Sequence, residues 1–244
     1  MKLVPRLGAA VWPDLGSIAT TVAVPVGSVE QHGPHLPLDT DSRIGEEVAG
    51  RAVAALEAER GSSDEDRRYL LAPTVEYGAS GEHEGFPGTV SIGTEVLTQL
   101  LIELGRSACR WADRLVLVNA HGGNAAAVAS AVATLRAESR DVAWFPCAFA
   151  NADAHAGHTE TSVLLEISPS RVRMDRAEVG NTAPIGVLLA ELRESGVAGV
   201  SPNGVLGDPT VANSGDGARD LAATATRLIG AMAQWIVDET GQLR

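Results

Sequence analysis

Six histidines, His32, His35, His83, His121, His155 and His158, hold most of the chemistry available to this chain. All fall in stretches that read as loops, and none sits on a helix face. Histidines serving only as core or surface residues would not be expected to avoid every regular element. The first cluster is Glu30-Gln31-His32-Gly33-Pro34-His35, with Asp39 and Asp41 downstream. Glu30 and His32 lie two apart on extended backbone, which aims both side chains the same way. Asp41, at the end of the same loop, can fold back onto them. One imidazole with two carboxylates is a mixed nitrogen/oxygen donor set that suits Zn, Mn or Fe(II) in a hydrolytic site. A surface turn in which Asp41 merely caps the next helix would explain Asp41 but not Glu30 and His32.

The second cluster is Asn119-Ala120-His121-Gly122-Gly123-Asn124, directly after the apolar run 114–118. The two glycines let backbone approach a ligand closely, and Asn124 is a candidate helix cap. Neither GxGxxG nor a GK[ST] ending is present, which makes a phosphate-binding reading of this Gly pair weak. The third cluster, His155-Ala156-Gly157-His158-Thr159-Glu160-Thr161, adds a further carboxylate in Glu160. Glu30, His32, Asp41, His121 and Glu160 are more ligands than one catalytic metal with an open position needs. They fit two divalent metals bridged by a carboxylate, with Asp41 at the bridge. His155 is expected to transfer protons, with Glu160 beside it in the catalytic set and His158 as the alternate. His83 and Phe86, in the Gly-rich stretch 77–93, are expected to contact substrate, as is His158 if it carries no proton. No serine or cysteine has a GxSxG or Cys/His setting, so a water activated by the metals is the expected nucleophile.

These loops need a frame. Residues 21–26 (TVAVPV), 69–75, 114–118 (RLVLV) and 142–149 read as buried strands. Helices are expected over about 41–60, 94–112 with Thr94 as N-cap, 124–139, from 160 to 167, and over 218–239. Residues 61–68 (GSSDEDRR) read as a solvated loop. Strand–helix alternation of this kind makes a mostly parallel sheet with helices on both faces, and no linker or repeat divides residues 1–244 into more than one domain.

Composition narrows the partners. Against 31 Asp+Glu stand 19 Lys+Arg, a net charge of -12, which argues against a nucleic-acid partner. At 45% hydrophobic and 20% charged, the chain is not disordered. Cys109 and Cys147 lie in no metal or disulfide pattern and suit a reducing cytoplasm. Residues 1–15 lack the apolar core of a signal peptide, and no run is long enough to span a membrane.

The segments PVGSVEQHGPHLPLDTD (25–41), EHEGFPGTVSIG (82–93), NAHGGN (119–124) and HAGHTETS (155–162) together resemble the creatininase family, and NGVLGDPTVAN (203–213) resembles a further family segment read as a turn near the site. The resemblance spans 24–217. It implies a three-layer αβα sandwich, hydrolysis of an amide C–N bond, a homo-oligomer, and metal ligands at Glu30, His32, Asp41 and His121. Creatinine-hydrolysing members carry a glutamate two residues after the equivalent of His121, where this chain has Gly123. The HGGN branch takes it instead from HAGxxET, which here is Glu160. Within the family the sequence is most similar to a peptidase branch acting on a modified ribosomal precursor peptide, from which it releases a Val-Tyr-derived C-terminal dipeptide. Other readings are a formamide hydrolase of a formylamino-pyrimidine nucleotide, a creatinine amidohydrolase, and a metal-binding scaffold without turnover. Trp12, Trp111, Trp144 and Trp235 leave none between 145 and 234 to enclose a small ring near His155, so a peptide end is the expected substrate.

Overall fold

The computed structural model describes residues 4–16, 18–60 and 67–244; most of the expected loop at 61–68 lies outside them. Strand β1 (Ala19–Val26) is followed by helix α1 (Thr40–Glu59), β2 (Arg67–Leu71), α2 (Gly93–Ala108), β3 (Arg114–Asn119), α3 (Ala125–Ala137), β4 (Val142–Pro146), α4 (His158–Ile167), α5 (Ile185–Val200) and α6 (Ser214–Gln234). The described strands form one parallel sheet in the order β2–β1–β3–β4.

Side-chain alternation along β1 and β3 sorts the core into two layers. Val22, Val24, Val26, Leu115 and Leu117 pack with Leu97 and Leu101 of α2 and with Val128, Val132 and Leu135 of α3. Ala23, Val116 and Val118 face the other way, onto Ile44 and Val48 of α1, Val163 of α4, and Leu221 and Leu228 of α6. Helices on both faces and near-continuous apolar strands are what buried parallel sheets require. The result is the expected three-layer αβα sandwich. Pro25 sits in an interior strand without penalty. Its side of the ladder faces β2, whose pairing ends at Ala23 with Leu71, and its carbonyl still accepts from Val75 N at 2.9 Å.

Several boundaries differ from expectation. The strand expected at 69–75 ends at Leu71 and leaves only an isolated bridge at Val75. The helix expected from Thr94 begins at Gly93 with no side-chain cap, and ends at Ala108 rather than 112. The last helix starts earlier, at Ser214, because the Asn213 side chain accepts from Asp216 N at 3.0 Å. It ends at Gln234, where Trp235 turns into the left-handed region with φ 51°. The helix expected from Glu160 starts at His158, its free N–H groups taken by Asp153, which accepts from His158 N and, at 3.1 Å, from Thr159 N. Helix α5 has no counterpart among the expected elements. No helix among the described residues is long and apolar enough to cross a membrane.

Candidate metal centre

The carboxyl ends of β1, β3 and β4 open into the loops that carry the histidines, the place where open parallel sheets gather ligands. All five expected ligands meet there. Asp41 Oδ1 lies 3.1 Å from His32 Nε2, and Asp41 Oδ2 lies 3.2 Å from His121 Nδ1. His121 Nε2 is 3.2 Å from Glu30 Oε2, and His32 Nε2 is 3.9 Å from Glu160 Oε2. Donor atoms fall within 4.8 Å of one another in three groups: Glu30, Asp41 and His121; His32, Asp41 and Glu160; Glu30, His32 and His155.

A cation fits this donor set. Glu30 is fully buried, and neither carboxylate oxygen has a hydrogen-bond partner. An isolated buried carboxylate is costly. Burial pushes Glu30 up to about 7, with His121 pulling the other way. Burial likewise raises Glu160 to about 7 against the pull of His32. Burial alone would depress the imidazoles of His32 and His121. Asp41 outweighs it at His32, raising it to about 10, and Glu30 with Asp41 raises His121 to about 9. Burial opposes ionisation of Asp41, yet the two imidazoles hold its carboxyl well below the usual range. Neighbouring groups orient the donors. Ser28 Oγ donates to Asp41 Oδ2 at 2.6 Å, and His32 Nδ1 donates to the Glu30 carbonyl at 3.2 Å, which leaves Nε2 free to ligate.

The metal-free cluster therefore holds protons on His32 and His121 at pH 7. Ligation needs neutral imidazoles, so metal uptake at pH 7 is expected to release protons and to strengthen as pH rises toward 9–10. Titration calorimetry in buffers of different ionisation enthalpy measures this directly; uptake without net proton release would contradict the ligand roles of both histidines.

A hydrogen-bond network sets the tautomers of the remaining imidazoles. The Gln31 amide donates to His83 Nδ1 at 2.9 Å and to the Gly204 carbonyl at 3.0 Å, while its Oε1 accepts from Gly33 N at 2.9 Å. His83 then carries its proton on Nε2, which approaches Glu30 Oε1 to 3.3 Å without forming a hydrogen bond. Burial, then the neighbouring His121 and His32, depress His83 to about 3, so it is neutral. His155 Nε2 donates to the Gln31 backbone carbonyl at 2.9 Å, which leaves the Nδ1 lone pair facing the cluster, 3.7 Å from Glu30 Oε1. Burial first, then His32 and His83, hold His155 well below its ordinary value. The next residue, Ala156, has φ 51°. That strain, about 1–2 kcal/mol, is offset by the Glu160 carboxylate, which accepts from Ala156 N at 2.6 Å.

Asp41, His121, His155 and Glu160 of the cluster line a cavity of about 1050 Å³, which α5 also walls with Ile185, Leu189, Leu192 and Arg193. Helix α5 reaches over the site because Gly196 breaks it with φ 66°; a Cβ there would stand 2.8 Å from the Glu82 carbonyl. Of the residues expected to touch substrate, His83 lines this cavity, whereas Phe86 and His158 do not. His158 Nε2 turns instead to Asp216 at 3.0 Å, joining α4 to α6. Asn124 does not cap α3. It accepts from Ala79 N and donates to the Gly27 carbonyl, both at 2.8 Å, and so ties three loops together.

Two contributors, Gln31 and Glu82, lie within the motif segments 25–41 and 82–93, where residue type and spacing assign them no role. Glu82 Oε1 reaches within 3.7 Å of His121 Nε2 from the Gly-rich loop, in space left open by Gly123. A Cβ on Gly123 would stand 2.3 Å from the Ala79 carbonyl and 2.5 Å from His121 Nε2. Gly123→Ala is therefore expected to displace His121 and weaken metal binding about 10–100-fold. Chelator competition measures it; unchanged affinity would argue that His121 is no ligand.

The family model for creatinine amidohydrolase matches residues 9–232. A mycofactocin precursor peptide peptidase of Mycolicibacterium smegmatis is 54% identical over 237 residues, 97% of this chain and 94% of the relative. One from Mycobacterium tuberculosis is 52% identical over 243 residues, 100% of this chain and 96% of the relative. Among solved structures, a creatininase variant of Zn–Zn type superposes with TM-score 0.76 at 22% identity, covering 96% of this chain and 99% of that one. With its motif loops, its sandwich and its sequence all matched over nearly their full length, the chain belongs to the creatininase family.

Proposed function

We propose that this chain is a metal-dependent peptidase that releases the modified Val-Tyr-derived dipeptide from the C-terminus of the mycofactocin precursor peptide. Glu30, His32, Asp41, His121 and Glu160 would hold two divalent ions, zinc or iron(II), with manganese a further candidate. The observation that carries the hydrolytic reading is the buried Glu30 carboxylate, with no hydrogen-bond partner on either oxygen, set among imidazoles beside Asp41, His121 and Glu160, which line the cavity. When bound, the ions would polarise the scissile carbonyl and acidify a water. His155 Nδ1, whose lone pair faces the cluster, would accept a proton there and return it to the departing amide nitrogen, while the Gln31 carbonyl anchors Nε2 and keeps the ring aimed. Glu160 is tied to Ala156 N, so it also braces the turn that presents His155.

The relatives' names support the peptide substrate. So does the cavity, whose described lining includes no Trp, Tyr or Phe to sandwich a small ring. A cytoplasmic location belongs to the same proposal, supported by the free thiols of Cys109 and Cys147. So does self-association, supported by the exposed apolar residues Ile185, Val187 and Leu189 of α5. The test is product analysis by mass spectrometry, with metal-loaded protein offered the modified precursor peptide, creatinine and a formylamino-pyrimidine nucleotide separately. Release of the dipeptide with little turnover of the other two is expected. Robust creatinine hydrolysis with the peptide untouched would overturn the substrate assignment.

A further inference from the structure

Behind the loop that carries Glu30 and His32 lies a second cleft, of about 320 Å³, which shares no lining residue with the catalytic cavity. Its walls are Pro34 and Pro37 on one side and Ser170, Arg171, Arg173 and Arg176 on the other; no carboxylate lines it. The three arginines are exposed and make no ion pair or side-chain hydrogen bond. Elsewhere among the described arginines only Arg110 and Arg193 are similarly free; others, such as Arg43, Arg51, Arg106 and Arg114, find a carboxylate. Asp39, which feels the charge of Arg171, is already held by Arg43 at 2.7 Å.

In a chain of net charge -12, these three guanidiniums share one cleft without an ion pair, and Asp39 acts on Arg171 only beyond ion-pair distance. Their segment is also held in place. Arg173 N donates to the His35 carbonyl at 2.8 Å, and two short 3-10 turns, Pro169–Arg171 and Met174–Arg176, flank it. Arg171 N donates to the Ser168 carbonyl, Val172 N to Pro169 and Arg176 N to Arg173. The side chains present a row of separate guanidinium forks, each suited to one carboxylate.

We propose that this cleft binds a carboxylate-rich segment of the peptide substrate, away from the bond that is cut. The loop 30–37 would then join the two sites, with metal ligands at one end and the prolines of the cleft at the other. The assignment of that segment to the substrate rests on the peptidase reading.

The test uses the full, metal-loaded chain and a fluorescent octaglutamate peptide, followed by anisotropy, with octaglutamine as the neutral comparison. Octaglutamate should bind more tightly than octaglutamine, and its affinity should fall with added salt. R171Q/R173Q/R176Q should weaken octaglutamate at least about 10-fold. R110Q, which removes one equally free charge elsewhere, should not, and lysine at all three positions should retain only part of the binding, since it keeps the charge and loses the fork. Equal affinity of the triple glutamine variant and the unaltered chain would overturn the proposal. So would displacement of the probe by inorganic phosphate at equal charge concentration, which would make the cleft a phosphate site. The assay needs no turnover, so the two readings fail separately. A chain that binds the probe but cleaves no peptide overturns the peptidase and the substrate origin of the segment, whereas unchanged octaglutamate affinity in the triple glutamine variant overturns the cleft.

Discussion

Asp41→Ala is expected to remove hydrolysis by about 10³-fold or more, roughly 4 kcal/mol of barrier, and to strip more metal than Glu30→Ala does. Asp41 is 2% exposed and presents one oxygen to His32 at 3.1 Å and the other to His121 at 3.2 Å. It belongs to both groups that combine two carboxylates with one imidazole. Losing it should therefore cost both ions a ligand and leave the protonated forms of His32 and His121 without their main counter-charge. Elemental analysis of the unaltered chain should find close to two metals per chain, and Asp41→Ala well under one. A firm value near one in the unaltered chain would remove the bridge from the proposal, because a single ion leaves part of this donor set unused.

His155→Ala is expected to lower kcat by about 10²–10⁴-fold while metal content stays unchanged. The reason is geometric. One ring nitrogen is committed to the Gln31 carbonyl at 2.9 Å, and the other faces the cluster at 3.7 Å from Glu30, too far for a hydrogen bond but within reach of a water or a leaving nitrogen. The neutral ring can accept a proton before it gives one back. The same residue also appears with Glu30 and His32 in the third donor group. Metal analysis of the variant decides between the roles: loss of metal in parallel with activity would make His155 a ligand and shift the shared position from Asp41 to Glu30 and His32. His158→Ala, measured alongside, should show a much smaller effect on kcat, since its imidazole faces Asp216 and lines no part of the cavity.

Much of this could be read before any coordinates. The β-branched and apolar runs of β1 and β3 leave little choice but buried strands, and buried parallel strands need helices on both sides. The ligand loops were legible because polar residues capable of metal chemistry, set between glycines at the ends of such strands, have few other uses. Helix α5 was not legible. Its apolar residues run round the helix without a clean stripe, Gly186, Gly196 and Gly199 weaken its helical signal, and only packing over Gly81–His83 gives it a place. The arginine cleft was hidden by an average: net charge sums over the chain, whereas Arg171, Arg173 and Arg176 form one surface only because their segment is pinned to His35.

The sequence by itself determined the residue types, the local periods and hence the layers, since a strand or helix depends mainly on neighbours a few positions away. It also determined that imidazoles and carboxylates would emerge at one edge of the sheet. Which donor atoms meet was decided only by the tertiary structure. Gln31 lies 124 residues from His155 and 173 from Gly204, yet its amide and carbonyl set the ring of one and hold the loop of the other. Hydrogen bonds and ligand contacts act over about 3–4 Å. Distances of that size between remote residues follow from how the layers pack, and no spacing along the chain encodes them.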